Sequence, residues 1–250
     1  MKVIGRIRPV IALAAIALAA LAPAGAAAAP PAGIEGQKPG PKPQLLLFHG
    51  GSFLFHDPFF RPLTRPWAVA EGFRPHYVNY PLGDLPAAVT AARLEARRLR
   101  DKVGVDRVYA YGASAGGTLA AILAGEGNVA AAVAKAPISD FATWEWPLGA
   151  YGTNYYETIF AGPATRLRLS PFNRPEQEPL LVVQGRGDAV VPPPMNEAFA
   201  TKFAHVHLWL VPGGHTTERV RPWIVSGAMR WLAERAARHI PPAEAAHALP

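Results

Sequence analysis

From Gln44 onward, short apolar runs alternate with stretches whose apolar residues recur every three or four positions. Gln44–His49 (QLLLFH), His76–Asn79, Arg107–Tyr111, Val129–Lys135, Leu180–Gln184 and Val206–Val211 read as strands, most of them continuous runs suited to burial on both faces. Between them, Leu63–Glu71, Leu85–Val103, Ala115–Ala124, Pro194–Phe203 and Pro222–Arg238 carry helical spacing or composition. Leu85, Val89, Ala92 and Leu99 fall on one face of the second helix, and Ile224, Ala228, Trp231 and Leu232 on one face of the last. Regular strand–helix alternation predicts an α/β fold: a mostly parallel, doubly wound sheet of about six strands with helices on both faces.

The segment from Pro137 to Glu178 breaks the alternation. It holds Phe141, Trp144, Trp146, Tyr151, Tyr155, Tyr156 and Phe160 and no clear strand. An insertion of this length in a compact domain predicts a small aromatic lid at about 137–178. The competing reading is a loop that packs its own aromatics. Trp144, Trp146, Tyr151 and Tyr155 are its candidate substrate-binding residues.

The first residues follow another pattern. Lys2, Arg6 and Arg8 precede an apolar run from Val10 to Ala22, Pro23 and small-residue Ala-x-Ala sites. This reads as a signal peptide over residues 1–28, with an exported, extracellular or periplasmic product. The run is shorter than the roughly 20 residues of a spanning helix, so no stable membrane span is expected after cleavage. A Pro/Gly-rich linker at 29–43, a domain at 44–240 and a tail at 241–250 complete the expected layout.

Composition narrows the chemistry. The chain has no cysteine, which excludes disulfides, a cysteine nucleophile and cysteine zinc sites. Its formal charge is +7, and loss of Lys2, Arg6 and Arg8 leaves +4. The densest basic group, Arg93, Arg97, Arg98, Arg100 and Lys102, shares a helix with Glu95 and Asp101 and reads as a solvated face. No nucleic-acid partner is expected, and the oligomeric state is left open.

Gly112-Ala113-Ser114-Ala115-Gly116 fits G-x-S-x-G, between the strand Val108-Tyr109-Ala110-Tyr111 and the helix beginning Gly117-Thr118-Leu119. That strand–turn–helix setting is the context in which a serine nucleophile is raised above a sheet. Serine attacks only if a base removes its proton. The chain resembles the α/β-hydrolase superfamily, and within it the esterase and lipase branch with a His-Gly-Gly motif. The resemblance rests on Tyr111–Gly117, on His49-Gly50-Gly51 and on Asn79-Tyr80-Pro81-Leu82, and spans the chain from about Gln44 to the last helix.

The resemblance implies that an acid and then a histidine follow the serine. It assigns Asp188, after Leu180–Gln184, as the acid and His215, in Pro212-Gly213-Gly214-His215, as the base. Asp140 is the rival acid, and Asp188 as a helix cap is the bland alternative. His56 is a weaker base at the site entrance. Gly50 or Gly51 would donate one N–H to an oxyanion and Ala115 the other. Ser52 stands where the branch often has a third glycine. Two amino-terminal strands usual in the superfamily have no counterpart, hence the trimmed sheet.

The implied activity is hydrolysis of a small-molecule carboxylic ester through an acyl-enzyme, with no metal or organic cofactor. Gln184–Asp188 followed by Val190-Val191-Pro192 also resembles the oligopeptidase branch, so a serine peptidase is the enzymatic alternative. A non-catalytic binding protein on the same fold is the other.

Overall fold

A computed structural model of the protein describes residues 41–144, 159, 162–174 and 178–239. All of them belong to one compact unit, Lys38–Pro250. Six strands form a single sheet: β1 (Gln44–Phe48), β2 (Arg74–Tyr77), β3 (Val108–Ala113), β4 (Ala131–Lys135), β5 (Leu180–Gly185) and β6 (Val206–Val211). Their order is β2-β1-β3-β4-β5-β6 and every pairing is parallel. Among the described residues this is the parallel sheet of about six strands that was expected. The chain runs from β1 out to β2 and then back past β1 to β3, so the winding reverses between β1 and β3. Ligands in open α/β sheets gather at such a switch point, beyond the carboxyl ends of the strands.

Side-chain alternation divides the core into two layers. Leu46, Phe48, Val108, Ala110, Ala132, Ala134, Leu180 and Val182 face one way, against α2 (Leu85–Val103), α3 (Ala115–Gly125) and α5 (Pro193–Lys202). Leu45, Leu47, Tyr109, Tyr111, Ala131, Val133, Leu181 and Val183 face the other, against α1 (Phe60–Ala70) and α6 (Trp223–His239). Central strands buried on both faces need no polar positions, which is why they read as unbroken apolar runs. The edge strand β2 is only partly buried.

Local chemistry sets the helix limits. Asp84 caps α2 by accepting the Ala87 N–H at 2.9 Å, and Gly104, at φ 84°, ends it. That carboxylate satisfies one of the donors a helix start leaves unpaired. The described part of the 137–178 insertion holds a short helix, α4 (Pro163–Leu169), and a 3-10 turn, Pro171–Asn173. Its Phe141, Trp144, Ile159 and Leu169 are buried in the layer beneath α2 and α3. These residues extend the main core. Trp146, Tyr151 and Tyr155 lie outside the described residues, as do residues 1–28, almost all of 29–43, and 241–250. Among the described residues, no helix is long and apolar enough to cross a membrane.

Candidate active site

Parallel pairing puts the carboxyl ends of all six strands on one edge of the sheet, and the candidate residues sit there. Ser114 follows β3 directly, at φ 53° and ψ −119°, and α3 begins at the next residue. A non-glycine residue adopts that backbone only when its surroundings impose it. The surroundings here are backbone packed on backbone. A Cβ on Gly112 would come within 2.0 Å of the Gly116 carbonyl oxygen, and one on Gly116 within 2.1 Å of the Phe48 oxygen. Only glycine lets strand, turn and helix approach this closely. The Ser114 N–H donates to the Lys135 carbonyl at 2.7 Å, which ties the turn to β4.

Asp188 lies just beyond β5 and His215 just beyond β6. His215 Nε2 is 2.9 Å from Ser114 Oγ, and its Nδ1 is 2.8 Å from Asp188 Oδ2. Burial alone would raise the Asp188 pKa. The hydrogen bond and charge of His215, with the N–H groups of Val191 and Val190, outweigh burial and hold the carboxyl below its ordinary range. An ionised carboxylate only accepts hydrogen bonds, so the His215 proton resides on Nδ1. Nε2 is left to accept the serine proton. Beneath this pair, the buried Gln184 amide donates to Asp188 Oδ2 at 3.2 Å and accepts from Asn196 at 2.7 Å.

The rival acid is engaged elsewhere. Asp140 accepts the Ala142 N–H at 2.9 Å and the Thr143 hydroxyl at 2.8 Å, closing a turn. Trp144 was expected to bind substrate. It is buried, its indole N–H donates to the Val190 carbonyl at 2.9 Å, and it is not among the cavity-lining residues.

A cavity of about 350 Å³ opens beside Ser114, lined by Gly50, Gly51, Ser52, Phe55, Val190 and His215. Gly50 packs against the serine: a Cβ there would lie 3.5 Å from Ser114 Cβ. Ala115 is the first residue of α3, so its N–H has no acceptor within the helix. Gly51 (φ 116°) and Ser52 (φ 56°) both take left-handed backbone, so serine adopts the conformation glycine would have eased. His49 braces the loop. Its Nδ1 donates to the Gly50 carbonyl at 2.6 Å, its Nε2 meets His56 Nδ1 at 2.8 Å, and Tyr80 donates to its carbonyl at 2.7 Å. Burial lowers the His49 pKa, which keeps the ring neutral and able to hold both contacts. His56 is thus oriented by His49.

Sequence reasoning missed four charged residues of the cavity: Asp57, Lys135, Glu218 and Arg219. They form two ion pairs, Lys135–Glu218 at 2.7 Å and Arg219–Asp57 at 2.8 Å. The one available signal was Lys135 itself, a charge closing an apolar strand. Among the described residues, no cluster of three or more His, Asp or Glu could hold a metal ion.

The model of the prolyl oligopeptidase family matches residues 84–208, which include Ser114 and Asp188. The chain belongs to this family. It is therefore a hydrolase of the α/β superfamily, as the Ser114 and His49 motifs led us to expect. His215 lies beyond the matched stretch, and the geometry above is what links it to the other two. A search of curated proteins found no match. Among solved structures, the chain is similar to an acetyl ester-xyloside bifunctional hydrolase from Caldicellulosiruptor lactoaceticus. They share a TM-score of 0.67 and 17% identity over 82% of this chain and 86% of that one. A thermophilic esterase from Thermogutta terrifontis gives 0.66 and 18%, over 83% and 86%. An esterase from Pyrobaculum calidifontis gives 0.64 and 20%, over 82% and 79%. These likenesses establish the shared fold.

Proposed function

We propose that the protein is an exported serine hydrolase of small carboxylic esters, with Ser114 as nucleophile, His215 as base and Asp188 as the group that orients the base. The observation that carries this reading is the unbroken relay from Asp188 through both nitrogens of His215 to Ser114 Oγ, opening on the cavity. In the proposed sequence, Ser114 Oγ attacks the acyl carbon as its proton passes to His215 Nε2. The carbonyl oxygen becomes an oxyanion that accepts the Ala115 N–H and an N–H from Gly50 or Gly51. Collapse of the intermediate expels the alcohol, which takes the proton from Nε2. Water, deprotonated by the same nitrogen, then attacks the acyl-enzyme and returns the serine.

Ester substrates are favoured by the cavity, whose volume suits a small acyl or alcohol group, and by similarity to esterases from two organisms and an acetyl ester-xyloside bifunctional hydrolase from a third. The family match favours a second reading, cleavage of short peptides. The two separate on a substrate panel: p-nitrophenyl acetate, butyrate and decanoate beside a prolyl p-nitroanilide peptide. The ester reading requires turnover of a short-chain ester well above the anilide. Anilide cleavage with inert esters establishes the peptidase. Export is proposed from the positive start, short apolar run and Ala-x-Ala sites. It is tested by sequencing the amino terminus of protein recovered from periplasm or medium. A terminus still at Met1 overturns it.

A further inference from the structure

We propose that the buried Lys135–Glu218 ion pair is a positioning device: it pins the loop that carries His215 to the strand beneath Ser114. It thereby holds the imidazole at the distance needed for proton transfer. This rests on the hydrolase reading above.

Lys135 ends β4 and is 1% exposed; its side chain continues the row of Ala131 and Val133 on the layer with α1 and α6. Its backbone is fastened to the nucleophile turn. Lys135 pairs in register with Ala113, and its carbonyl accepts the Ser114 N–H at 2.7 Å. A Cβ on Gly117 would come within 2.8 Å of that same carbonyl, so the start of α3 rests on it as well. Nothing at Lys135 moves without moving Ser114.

The side chain reaches to the other half of the relay. Its ammonium lies 2.7 Å from Glu218 Oε2, and Glu218, itself buried, sits in the 3-10 turn Thr217–Arg219, three residues after His215. That loop is braced internally. Thr217 Oγ1 donates to the Pro212 carbonyl at 2.8 Å, Arg221 Nη1 donates to Thr217 Oγ1 at 2.9 Å, and the Thr217 N–H donates to the Gly214 carbonyl at 3.3 Å. A displacement of Glu218 therefore carries His215 with it. On the outer side, Arg219 grips Asp57 at 2.8 Å and fastens the loop to the segment after β1.

Energetics argue that the pair does more than fill space. Burying two charges is costly, and an apolar pair of similar volume commonly serves a core as well or better. Burial pushes the Lys135 ammonium down and the nearby Glu218 carboxylate opposes that push. Glu218 opposes it most and Asp188 adds to that opposition, so removing one member of the pair leaves its partner a costly buried charge. A pair held on these terms, lining the catalytic cavity, supplies a point attachment between strand and loop that sliding apolar surfaces do not.

The test replaces both charges together, Lys135→Met with Glu218→Leu, so that neither is left buried alone. Turnover of p-nitrophenyl acetate is measured beside the thermal unfolding midpoint. The expected result is a midpoint near that of the wild type, KM within about twofold, and kcat lowered about tenfold or more, since misplacement of a reacting group by a fraction of an ångström acts on kcat. A double variant with wild-type kcat, or a loss carried in KM alone, overturns the proposal. Glu218→Gln keeps the shape and removes the charge. Its kcat should fall with KM unchanged, and an undiminished kcat overturns the proposal even if the double variant fails to fold. Fluorophosphonate labelling of the wild type at Ser114 runs alongside. An unlabelled wild type defeats the hydrolase reading, whereas a labelled wild type with a fully active double variant defeats the positioning pair alone.

Discussion

Gly116→Ala adds one methyl group at the point where the Ser114 turn meets the end of β1. The added Cβ would lie 2.1 Å from the Phe48 carbonyl oxygen, 2.4 Å from that of His49 and 2.5 Å from the Phe48 carbonyl carbon. All three are backbone atoms of β1 and its continuation, so no rotamer change relieves the contact. Carbon–oxygen contacts settle near about 3.3 Å, so helix and strand must part by roughly 1 Å. Overpacking of this kind costs about 1–3 kcal/mol. For a domain of this size, that lowers the thermal midpoint by roughly 3–10 °C. The same movement shifts Ser114 relative to His49–Gly51, and a 1 Å misplacement costs on the order of 100-fold in turnover. Gly83→Ala is the matched control. Gly83 also has a positive φ (79°), but its added Cβ meets nothing within 4 Å. There the cost is about 1 kcal/mol of backbone strain, with activity retained. Scanning calorimetry and ester turnover on both variants decide the matter. A Gly116→Ala enzyme with wild-type midpoint and turnover refutes the close-approach argument.

Three further predictions follow from the site. Asp188→Asn should lower the midpoint, because a buried amide cannot accept from His215, Gln184, Val190 and Val191 together, and should cut kcat by about 1,000-fold or more, because it no longer holds the His215 proton on Nδ1; steady-state kinetics on a short-chain ester and a thermal melt check it. Lys135→Met alone should cost about 3–5 kcal/mol by leaving the Glu218 carboxylate buried and unpaired, whereas the double variant costs much less; urea unfolding of the two should give strongly non-additive midpoints. Stability should fall in acid. Burial holds His49 below its ordinary value, and the partners of Asp188, outweighing its burial, hold that carboxyl below its own. The unfolded chain then binds more protons than the folded one, so the His49 share is lost as pH falls below about 6.5 and the Asp188 share below about 4. Thermal midpoints recorded from pH 8 to 4 should decline, and His49→Gln should flatten the decline between pH 7 and 5.

Elements buried on both faces were readable because burial leaves a one-letter pattern. β1, β3 and β5 lie within a residue or two of their expected limits for that reason; the half-exposed edge strand β6 and the helix α2 do so through their own apolar residues. β2 was expected at His76–Asn79 and occupies Arg74–Tyr77. It is an edge strand, and its partly exposed Arg74, Pro75 and His76 carry no hydrophobic signal. α1 begins three residues earlier than expected, at Phe60, after a turn in which Asp57 accepts the Phe59 N–H at 3.0 Å. That Ser114, Asp188 and His215 meet was legible because each follows a recognisable strand, and parallel topology brings strand ends together. Trp144 misled because a tryptophan in an irregular segment reads as a contact surface, while its tertiary position is core. The Lys135–Glu218 pair was hidden for the opposite reason. A charge in a sequence reads as solvated, and only the fold reveals that two distant charges are buried against each other.

The most direct test of the central claim is mass spectrometry of the protein after brief exposure to a fluorophosphonate, compared with Ser114→Ala. The expected result is a single adduct on the Ser114 peptide of the wild type, formed more slowly in His215→Ala and absent from Ser114→Ala. An unlabelled wild type, or labelling that persists in Ser114→Ala, contradicts the assignment of Ser114 as the nucleophile.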